Sequence, residues 1–264
     1  MISHLIIVLL SVLGTAIVYF CAGSLFWAWA PLLFLGFFVV LQILHAASIP
    51  FLFLFLPKEK KPEHPTPWVN AYIRYMMRWL MPLCGVRVIL KGGEKIPAEP
   101  SVIVSNHRSM FDPMVMIKAL PKRNVVFVSK IENFNIPIAW RFFASAGFLP
   151  IDRDNAMKAL REIRRGVKMM QTDGIDVGIY PEGTRSKTGE LLPFKSGAFL
   201  MAQKSGAPVV VMVTRNTADI AHGFPLRMKR VELEVLEVLD AETVRSMSLD
   251  DLTERVRNRI ASAL

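Results

Sequence analysis

A histidine and an aspartate stand five residues apart, His107 and Asp112, in the segment SNHRSMFDP, directly after an apolar run. In one continuous helix, two residues at this spacing would point about 140° away from each other, since each residue turns the helix by ~100°. A turn between a strand and a helix removes that objection, because it can fold the carboxylate back onto the imidazole. Paired in this way, the histidine could act as a general base whose tautomer is fixed by the carboxylate.

The same two residues also have an explanation that needs no chemistry. Asp112 directly precedes Pro113, and an aspartate at a helix N-cap followed by proline is a common helix start. Asn106 and His107 would then only close a loop. The segment alone leaves both interpretations open, so the surrounding elements have to decide between them.

An enzyme nucleophile is the missing part of this arrangement. The sequence contains no GxSxG segment of the kind that carries a hydrolase serine. Ser109, two residues after His107, is a candidate nucleophile for a lipid hydrolase. A His–Asp pair without its own nucleophile instead indicates that the substrate supplies the hydroxyl. A third class stays open, a membrane-surface binding protein in which the pair has no chemical role.

A second segment with chemical potential reads YPEGTRSKTGELLPFKSGA and follows the apolar run GIDVGIY. Loops at the carboxyl ends of strands hold ligands in α/β folds. Arg185 offers a planar fork for a phosphate, and Lys187 and Lys195 add positive charge. Glu182 could orient an arginine or bond a substrate hydroxyl, and the segment GFLPIDR adds Arg153. The alternative for each of these residues is a surface ion pair.

The elements that position these segments alternate between short apolar runs and helical patterns. The predicted strands are VRVIL, SVIVS, NVVFVS, GIDVGIYP, APVVVMV and VELEVLEVL, and the predicted helices are PMVMIKAL, AMKALREIRRGVKMMQ, SGAFLMAQKSG and SLDDLTERVRNRIASAL. This alternation predicts an α/β fold with a mixed, largely parallel sheet flanked by helices. The strand VELEVLEVL alternates apolar and acidic residues, which predicts one solvated face and a place near a sheet edge.

Charge is distributed very unevenly along the 264 residues. Residues 1–57 contain no Lys, Arg, Asp or Glu, so all 32 basic and 22 acidic side chains lie at or beyond Lys58. The net charge of +10 therefore belongs to the rest of the chain, whose basic surface suits phosphate groups, anionic lipid or nucleic acid. The two cysteines, Cys21 and Cys84, match no metal spacing and no disulfide framework, which favours a reducing, cytosol-facing body.

The uncharged first part predicts a membrane anchor. It is too long for the apolar core of a signal peptide, and a helix needs ~20 apolar residues to cross a bilayer. Two transmembrane helices fit, at roughly Leu5–Ala22 and Pro31–Leu56, with a turn near Cys21–Trp29. A hairpin that enters and leaves one leaflet is an alternative, and so is a single span followed by a buried core helix.

Residues 58–85 predict a basic linker followed by an amphipathic helix. Lys58, Lys60 and Lys61 follow the apolar part, and positive residues beside a span favour the cytoplasmic side. Next, WVNAYIRYMMRWLMPL places Asn70, Arg74 and Arg78 on one helical face. This pattern fits a helix in the membrane interface with its basic residues toward lipid phosphates, and a core helix with two solvated arginines fits the pattern equally. Residues 86–264 form the α/β domain.

Four segments, in this order, resemble the glycerolipid acyltransferase family, in particular the 1-acylglycerol-3-phosphate (lysophosphatidate) acyltransferases. They are NHRSMFD, GFLPIDR, YPEGTRS and APVVVMV, and they fall between about Val86 and Thr217. The family shows an NHxxxxD segment, a GxxxIDR segment, a PEGTR segment and an apolar segment around a proline. Tyr180 stands where phenylalanine is common in the family, which is a small departure.

The resemblance implies roles for individual residues within a glycerol-3-phosphate acyltransferase-like fold, with 86–264 as the catalytic domain. His107 is the general base, and Asp112 orients it. The acceptor's phosphate is bound by residues from two segments: Arg153, Glu182, Gly183, Thr184 and Arg185. Lys130, in VSKIENF, contacts the phosphate or the developing oxyanion, and Lys195 adds charge to the binding loop.

The implied reaction moves a fatty acyl group from acyl-CoA or acyl carrier protein to the sn-2 hydroxyl of 1-acyl-sn-glycerol 3-phosphate. It gives phosphatidic acid in phospholipid biosynthesis, and it needs no metal or cofactor. The partners are the two substrates, membrane lipid and acyl carrier protein, without nucleic acid. The resemblance implies an integral or monotopic protein on the cytoplasmic face of the inner membrane, or on the endoplasmic reticulum in a eukaryote. Another lysophospholipid, a lyso-aminolipid or glycerol-3-phosphate stays an alternative acceptor.

Overall fold

The structure, a computed structural model, describes residues 2–22, 29–52, 55–56, 62–137, 139–186, 188–221 and 228–264. The chain divides into two compact units, Met1–Pro57 and Lys58–Leu264. The basic residues Lys58, Lys60 and Lys61 of the predicted linker lie outside the described residues, as do residues 23–28 of the predicted turn.

The first unit contains two helices, α1 (Ile2–Ala22) and α2 (Ala30–Leu52). They approach closely at Gly14, where an added Cβ would lie 3.2 Å from the ring of Phe37. Many of their other apolar side chains are exposed, and Phe20 reaches 84%. Within the described ranges, no helix combines the length and the apolarity needed to cross a membrane.

The second unit begins with α3 (Pro67–Leu83), which packs against the rest of that unit. Asn70 is buried, and its side-chain nitrogen donates to the carbonyl oxygen of Ala146 at 3.2 Å. The predicted contact of the basic residues Arg74 and Arg78 with lipid phosphates stays a prediction, whereas Asn70 faces the body of its own unit. The cause is tertiary, since a polar face can be buried where the body offers it a hydrogen-bond partner.

Seven strands form the central sheet. They are β1 (Val86–Lys91), β2 (Val102–Val104), β3 (Val125–Lys130), β4 (Leu149–Ile151), β5 (Asp176–Ile179), β6 (Val209–Arg215) and β7 (Lys229–Leu239). Their order is β1-β7-β6-β2-β5-β3-β4. Every neighbouring pair is parallel except β6 and β7. The prediction of a mixed, largely parallel sheet is confirmed, and the fully buried β2 and nearly fully buried β6 fit the rule that parallel strands are covered on both faces.

Helices flank this sheet. They are α4 (Asp112–Ala119), α5 (Ala139–Ser145), α6 (Ala156–Asp173), α7 (Leu200–Ser205), α8 (Ala241–Ser246) and α9 (Leu249–Ala261). The long helix α6 begins at an N-cap, since the side chain of Asn155 accepts a hydrogen bond from the backbone of Lys158. Its buried side includes Gly166, which lets the helix approach Leu149 of β4 and Met201 of α7.

The edges of the sheet agree with the prediction for β7 but include β4, which was not predicted. Strand β7 lies second from the edge, between β1 and β6, so it is paired on both sides. Its residues Val231, Leu233 and Val235 are nevertheless buried on one face, as their alternation with glutamates predicts. The sequence pattern did not reveal β4, because a three-residue strand that contains Pro150 has no readable period.

The topology determines where side chains with chemical potential can meet. Strands β2 to β6 all run in the same direction, so their carboxyl ends lie at one edge of the sheet. Strand β2 lies between β5 and β6. The residues that follow β2, β3, β4 and β5 therefore arrive at a common edge, where parallel sheets bind ligands.

Candidate active site

The turn between β2 and α4 brings His107 and Asp112 together. Nδ1 of His107 lies 2.7 Å from Oδ2 of Asp112. The same oxygen accepts the backbone N–H groups of Arg108 at 2.7 Å and Ser109 at 2.8 Å. Asp112 is the first residue of α4, with Phe111 at the N-cap position, so the predicted N-cap is shifted by one residue.

The hydrogen bonds around the carboxylate determine what the pair can do. Oδ2 of Asp112 already accepts two backbone N–H groups and serves as an acceptor, so Nδ1 of His107 is assigned the hydrogen and donates it. Nε2 is then free to take a proton. The side chain of Asp112 is 0% exposed and that of His107 is 19% exposed. Asp112 therefore has two roles, because it stabilises the turn and also pairs with the histidine. This arrangement can support general-base chemistry.

Asn106 fixes the end of β2 to the neighbouring strand. Its Nδ2 donates to the carbonyl oxygen of Thr214 at 2.9 Å, and its Oδ1 accepts from the Thr214 N–H at 2.8 Å. Ser105 adds a hydroxyl contact to Thr214 Oγ1 at 2.9 Å. Sequence reasoning had treated Asn106 as a loop residue. Its position directly before the histidine, at a strand end, was the available signal.

The ring of Tyr180 forms one wall of the pair. It stacks on His107 with ring centroids 4.5 Å apart, and Phe127 lies on a nearly parallel plane 6.1 Å from Tyr180. Burial raises the pKa of the Tyr180 phenol well above its ordinary value, and the charge of Asp112 raises it further. Both effects favour the neutral phenol over the phenolate. Among the described residues, its oxygen has no hydrogen-bond partner.

Glu182 connects two loops through their backbones. Its Oε1 accepts the N–H of His107 at 2.6 Å, and its Oε2 accepts the N–H of Leu192 at 3.0 Å. Burial raises the pKa of Glu182, while these two backbone hydrogen bonds oppose the rise. Both oxygens face backbone groups here, so the structure gives Glu182 a positioning contact with His107. Its predicted contact with substrate stays a prediction.

Two cations from different segments meet over Gly183. Gly183 has φ of 70°, in the left-handed region that favours glycine. A Cβ there would lie 3.4 Å from Cζ of Arg153 and 3.4 Å from Cε of Lys195. Arg153 follows β4, and Lys195 is tied to the same loop by its N–H, which donates to Pro181 at 3.0 Å. A guanidinium and an ammonium side by side suit a phosphate.

The other predicted site residues make contacts that differ from those of Arg153 and Lys195. Thr184 and Arg185 are exposed, and the next residue, Ser186, donates its N–H to the His107 carbonyl oxygen at 2.9 Å. Lys130, at the end of β3, forms an ion pair with Glu132 at 2.8 Å, and both side chains are about half exposed. The hydrogen bond from Lys130 lowers the pKa of Glu132. Lys187 lies outside the described residues.

The alternative nucleophile, Ser109, is part of the turn. Its N–H donates to Asp112, and its Oγ accepts the N–H of Phe111 at 3.3 Å. Arg108 was not singled out from the sequence. Its Nη1 donates to the carbonyl oxygen of Gly189 at 2.9 Å, which ties the His–Asp turn to the loop that follows Gly183.

Comparison with known proteins identifies the class to which this fold and site belong. The protein family described as Acyltransferase matches residues 87–215. A Caenorhabditis elegans relative, acl-2, is 30% identical over 195 residues, which cover 71% of this chain and 68% of the relative. The chain belongs to the acyltransferase family.

The relatives that carry an activity in their names point to one reaction. The 1-acyl-sn-glycerol-3-phosphate acyltransferase of Saccharomyces cerevisiae is 28% identical over 207 residues, covering 76% of this chain and 67% of that protein. The alpha form from Homo sapiens is 32% identical over 190 residues, covering 70% of this chain and 66% of that protein. The aligned part of the chain thus spans about two thirds of the length of these relatives.

A solved structure supports the fold. The crystal structure of the 1-acyl-sn-glycerophosphate (LPA) acyltransferase PlsC from Thermotoga maritima aligns with a TM-score of 0.61 and 21% sequence identity. The alignment covers 86% of this chain and 90% of that chain. The arrangement of sheet and helices described above is therefore shared with that protein.

Proposed function

We propose that this protein transfers a fatty acyl group from an acyl thioester to the sn-2 hydroxyl of 1-acyl-sn-glycerol 3-phosphate. The products are phosphatidic acid and a free thiol. The observation that carries the proposal is the hydrogen bond of 2.7 Å between His107 Nδ1 and Asp112 Oδ2, at the sheet edge where Arg153 and Lys195 converge. Family membership and the names of the relatives support the same reaction.

The proposed mechanism uses Nε2 of His107 as the base. It takes the proton of the sn-2 hydroxyl as the oxygen attacks the thioester carbonyl. Asp112 fixes the tautomer and stabilises the imidazolium. The C–S bond then breaks, and the thiolate needs little assistance because thiols have a pKa near ~8.5. His107 returns its proton to the departing sulfur, and general-base assistance of this kind contributes roughly 10²–10⁴-fold.

The phosphate of the acceptor is proposed to bind the cations over Gly183. Arg153 and Lys195 converge there from two segments, and the exposed Thr184 and Arg185 belong to the same loop. Lys130 is proposed to contribute less, because it is bonded to Glu132. Neither a metal nor a cofactor enters this mechanism. Either acyl-CoA or acyl carrier protein can supply the thioester, and the experiment below distinguishes these two donors.

Membrane attachment through residues 1–57 completes the proposal. This segment has no charged side chain, and α1 and α2 expose large apolar residues such as Phe20, Ile43 and Leu44. An uncharged pair of helices that exposes apolar side chains is stable in lipid rather than in water. The catalytic unit would then act at the cytoplasmic face, where both the lysolipid and the acyl thioester are present.

The reaction is tested by thiol release from the purified, detergent-solubilised protein. Oleoyl-CoA or oleoyl-acyl carrier protein is supplied with lysophosphatidate, lysophosphatidylcholine, glycerol-3-phosphate or no acceptor. Release that requires lysophosphatidate supports the proposal, and release without an acceptor identifies a thioesterase instead. Release with another acceptor in preference to lysophosphatidate assigns a different lysolipid or glycerol-3-phosphate acyltransferase. If neither donor gives release with any acceptor, the proposal is wrong.

Matched variants assign the reaction to the site. His107→Ala and Asp112→Asn should abolish or strongly reduce release. His64→Ala is the control, because His64 also pairs with a carboxylate, Asp173 at 2.9 Å, but lies exposed on the linker. Ser109→Ala should retain acyl transfer. Lipid hydrolysis that proceeds without an acyl donor and is abolished by Ser109→Ala would instead identify the serine as the nucleophile of a hydrolase.

The arrangement of the anchor is tested by labelling. A single cysteine replaces Trp27 in a protein lacking Cys21 and Cys84, and a membrane-impermeant reagent is applied from each side of sealed vesicles. Labelling from the side opposite the catalytic unit means two full spans. Labelling from the same side means a hairpin within one leaflet. Extraction of the protein by high salt alone would contradict an apolar anchor.

A further inference from the structure

Helix α6 has an exposed face that contains cations and one large apolar residue. Met157, Arg161, Arg164 and Lys168 are all exposed, and at ~100° per residue they fall within a sector of about 60°. The opposite side is buried and packs against β4 and α7. The face is therefore a single stripe along the helix, and we call it the α6 stripe.

The charges of the α6 stripe are of one sign. Lys168 pairs with Glu63 at 3.2 Å. In the described part of the chain, Arg161 and Arg164 have no hydrogen-bond or ion-pair partner. The exposed side of α9 instead mixes Asp250, Glu254 and Arg255, as the surfaces of soluble proteins usually do. Because α6 itself places no carboxylate on this face, its two arginines without partners attract an anionic surface.

One end of α6 lies next to the anion-binding cluster. The helix starts at Ala156, three residues after Arg153, whose guanidinium lies over Gly183. Lys158 is held by an ion pair with Asp152, 3.3 Å away. An anion that is attracted to the α6 stripe is therefore brought close to the cations that are proposed to bind the acceptor's phosphate.

The second half of α6, up to its last residue, is fastened to the linker. Nη1 of Arg165 donates to the carbonyl oxygen of Pro62 at 2.9 Å, and Asp173 pairs with His64 at 2.9 Å. Along the sequence, Pro62 is five residues from Pro57, where the uncharged segment ends. The stripe thus runs from the anion-binding cluster to the part of the catalytic unit that continues into the apolar segment.

We propose that the α6 stripe rests on the anionic headgroup surface of the membrane and concentrates anionic lysolipid beside Arg153. This inference rests on the proposed acyl transfer and on membrane attachment. Met157, 76% exposed among the arginines, favours a lipid surface over an acidic protein, because an apolar side chain between cations is typical of helices in the membrane interface. Cations near an anionic leaflet gain from its negative surface potential.

The kinetic test removes the two unpartnered arginines. R161Q/R164Q and the protein without substitutions are reconstituted into phosphatidylcholine vesicles with graded fractions of phosphatidylglycerol. The matched control is R87Q/R257Q, which loses the same charge from β1 and α9. We expect phosphatidylglycerol to lower the apparent KM for lysophosphatidate in the unchanged protein and in the control. In R161Q/R164Q the decrease in apparent KM that phosphatidylglycerol causes should be smaller by a factor on the order of ten, with kcat unchanged.

The outcomes separate this inference from the proposed function. With a short-chain lysophosphatidate dissolved as monomers, R161Q/R164Q should match the unchanged protein, because no surface is involved. An equal response of both proteins to phosphatidylglycerol would overturn the inference while leaving acyl transfer intact. A defect that appears only when acyl carrier protein replaces acyl-CoA would also overturn it, and would assign the stripe to an acidic protein.

A second readout does not depend on activity. A polarity-sensitive fluorophore is attached at Met157→Cys in a protein lacking Cys21 and Cys84, and its emission is recorded in the two kinds of vesicle. We expect a blue shift when phosphatidylglycerol is included, together with quenching by lipids that carry a quencher near the headgroup. Emission that stays that of a water-exposed fluorophore in every vesicle would contradict contact of the stripe with lipid.

Discussion

The imidazole of His107 and the phenol ring of Tyr180 lie stacked, with centroids 4.5 Å apart and planes inclined by 20°. The contact limits rotation of the imidazole while Asp112 holds Nδ1. The histidine is therefore fixed in two ways, by a flat wall and by a hydrogen bond. The stacked ring and this hydrogen bond set the orientation of Nε2, and the phenol oxygen does not contribute to it.

Tyr180→Phe should keep the acyl-transfer activity. The substitution retains the stacked ring and removes a buried hydroxyl that has no hydrogen-bond partner among the described residues. Since an unsatisfied buried hydroxyl costs about 1–3 kcal/mol, the variant should be as stable as the unchanged protein or more stable. Thermal unfolding and kcat measured side by side check both statements.

Tyr180→Ala is the companion variant, and it should lower kcat because the wall beside His107 is lost. If Tyr180→Phe lost as much activity as Tyr180→Ala, the phenol oxygen itself would have a role. The stacked ring would then not explain the position of the histidine.

Glu182 should make the stability of the protein depend on pH. Burial raises the pKa of its carboxyl above the ordinary value of 4.5. A group whose pKa is higher in the folded state contributes stability that is fully present below the unfolded pKa and is lost as pH rises through the folded pKa. We therefore expect the free energy of unfolding, relative to that of Glu182→Gln, to fall as pH rises from below 4.5 toward neutrality.

The measurement is chemical unfolding of the two proteins at matched pH values. Asp240→Asn is a suitable control, because the Thr243 N–H that Asp240 accepts lowers the pKa of this carboxyl. Its contribution has the opposite sign, so it is present above the unfolded pKa and is lost as pH falls. If the free energy of unfolding of the unchanged protein, relative to that of Glu182→Gln, rose with pH, the burial argument would be contradicted.

Asn106→Ala should destabilise the protein and reduce its activity. The variant leaves the buried N–H and carbonyl groups of Thr214 without the partners that Asn106 provides. Each buried group left unsatisfied costs about 1–3 kcal/mol. The denaturant midpoint of the solubilised protein should therefore shift clearly, whereas Asn258→Ala, at an exposed position of α9, should leave it unchanged. Equal midpoints for the two variants would rule out the proposed fixing of β2 to β6.

Arg153→Gln should raise the KM for lysophosphatidate more than Lys130→Gln does. Arg153 lies with Lys195 over Gly183, whereas Lys130 is bonded to Glu132 and half exposed. Loss of a charged hydrogen bond to a phosphate corresponds to about 10- to 100-fold in KM. The KM for acyl-CoA is the internal control and should change little in either variant. A larger effect from Lys130→Gln would mean that the phosphate binds at the end of β3.

Local sequence patterns were sufficient to predict the strands and helices that have a clear apolar run or hydrophobic period. The apolar runs of β2, β5 and β6 and the period of α6 are visible in the sequence. The His107–Asp112 pairing could also be foreseen, because both residues belong to one turn between a strand and a helix. The largely parallel sheet follows from the alternation of these elements.

Contacts between distant segments could not be read in the same way. Asn106 and Thr214 are 108 residues apart, and nothing local marks them as partners. The meeting of Arg153 with Lys195 over Gly183 depends on the position of β4, which has three residues and no period. The burial of Asn70 likewise depends on Ala146, which the helical pattern of α3 does not contain.

The turn that carries His107 is completed by residues that come much later in the chain. Glu182 binds the histidine N–H from 75 residues downstream, and Thr214 binds Asn106 from 108 residues downstream. Protein chains emerge during synthesis with the N-terminus first, so the apolar segment leaves the ribosome well before these partners do. If residues 1–57 attach the chain to lipid as proposed, this attachment can precede the assembly of the base, and His107 acquires its partners in a protein that is already at the membrane surface.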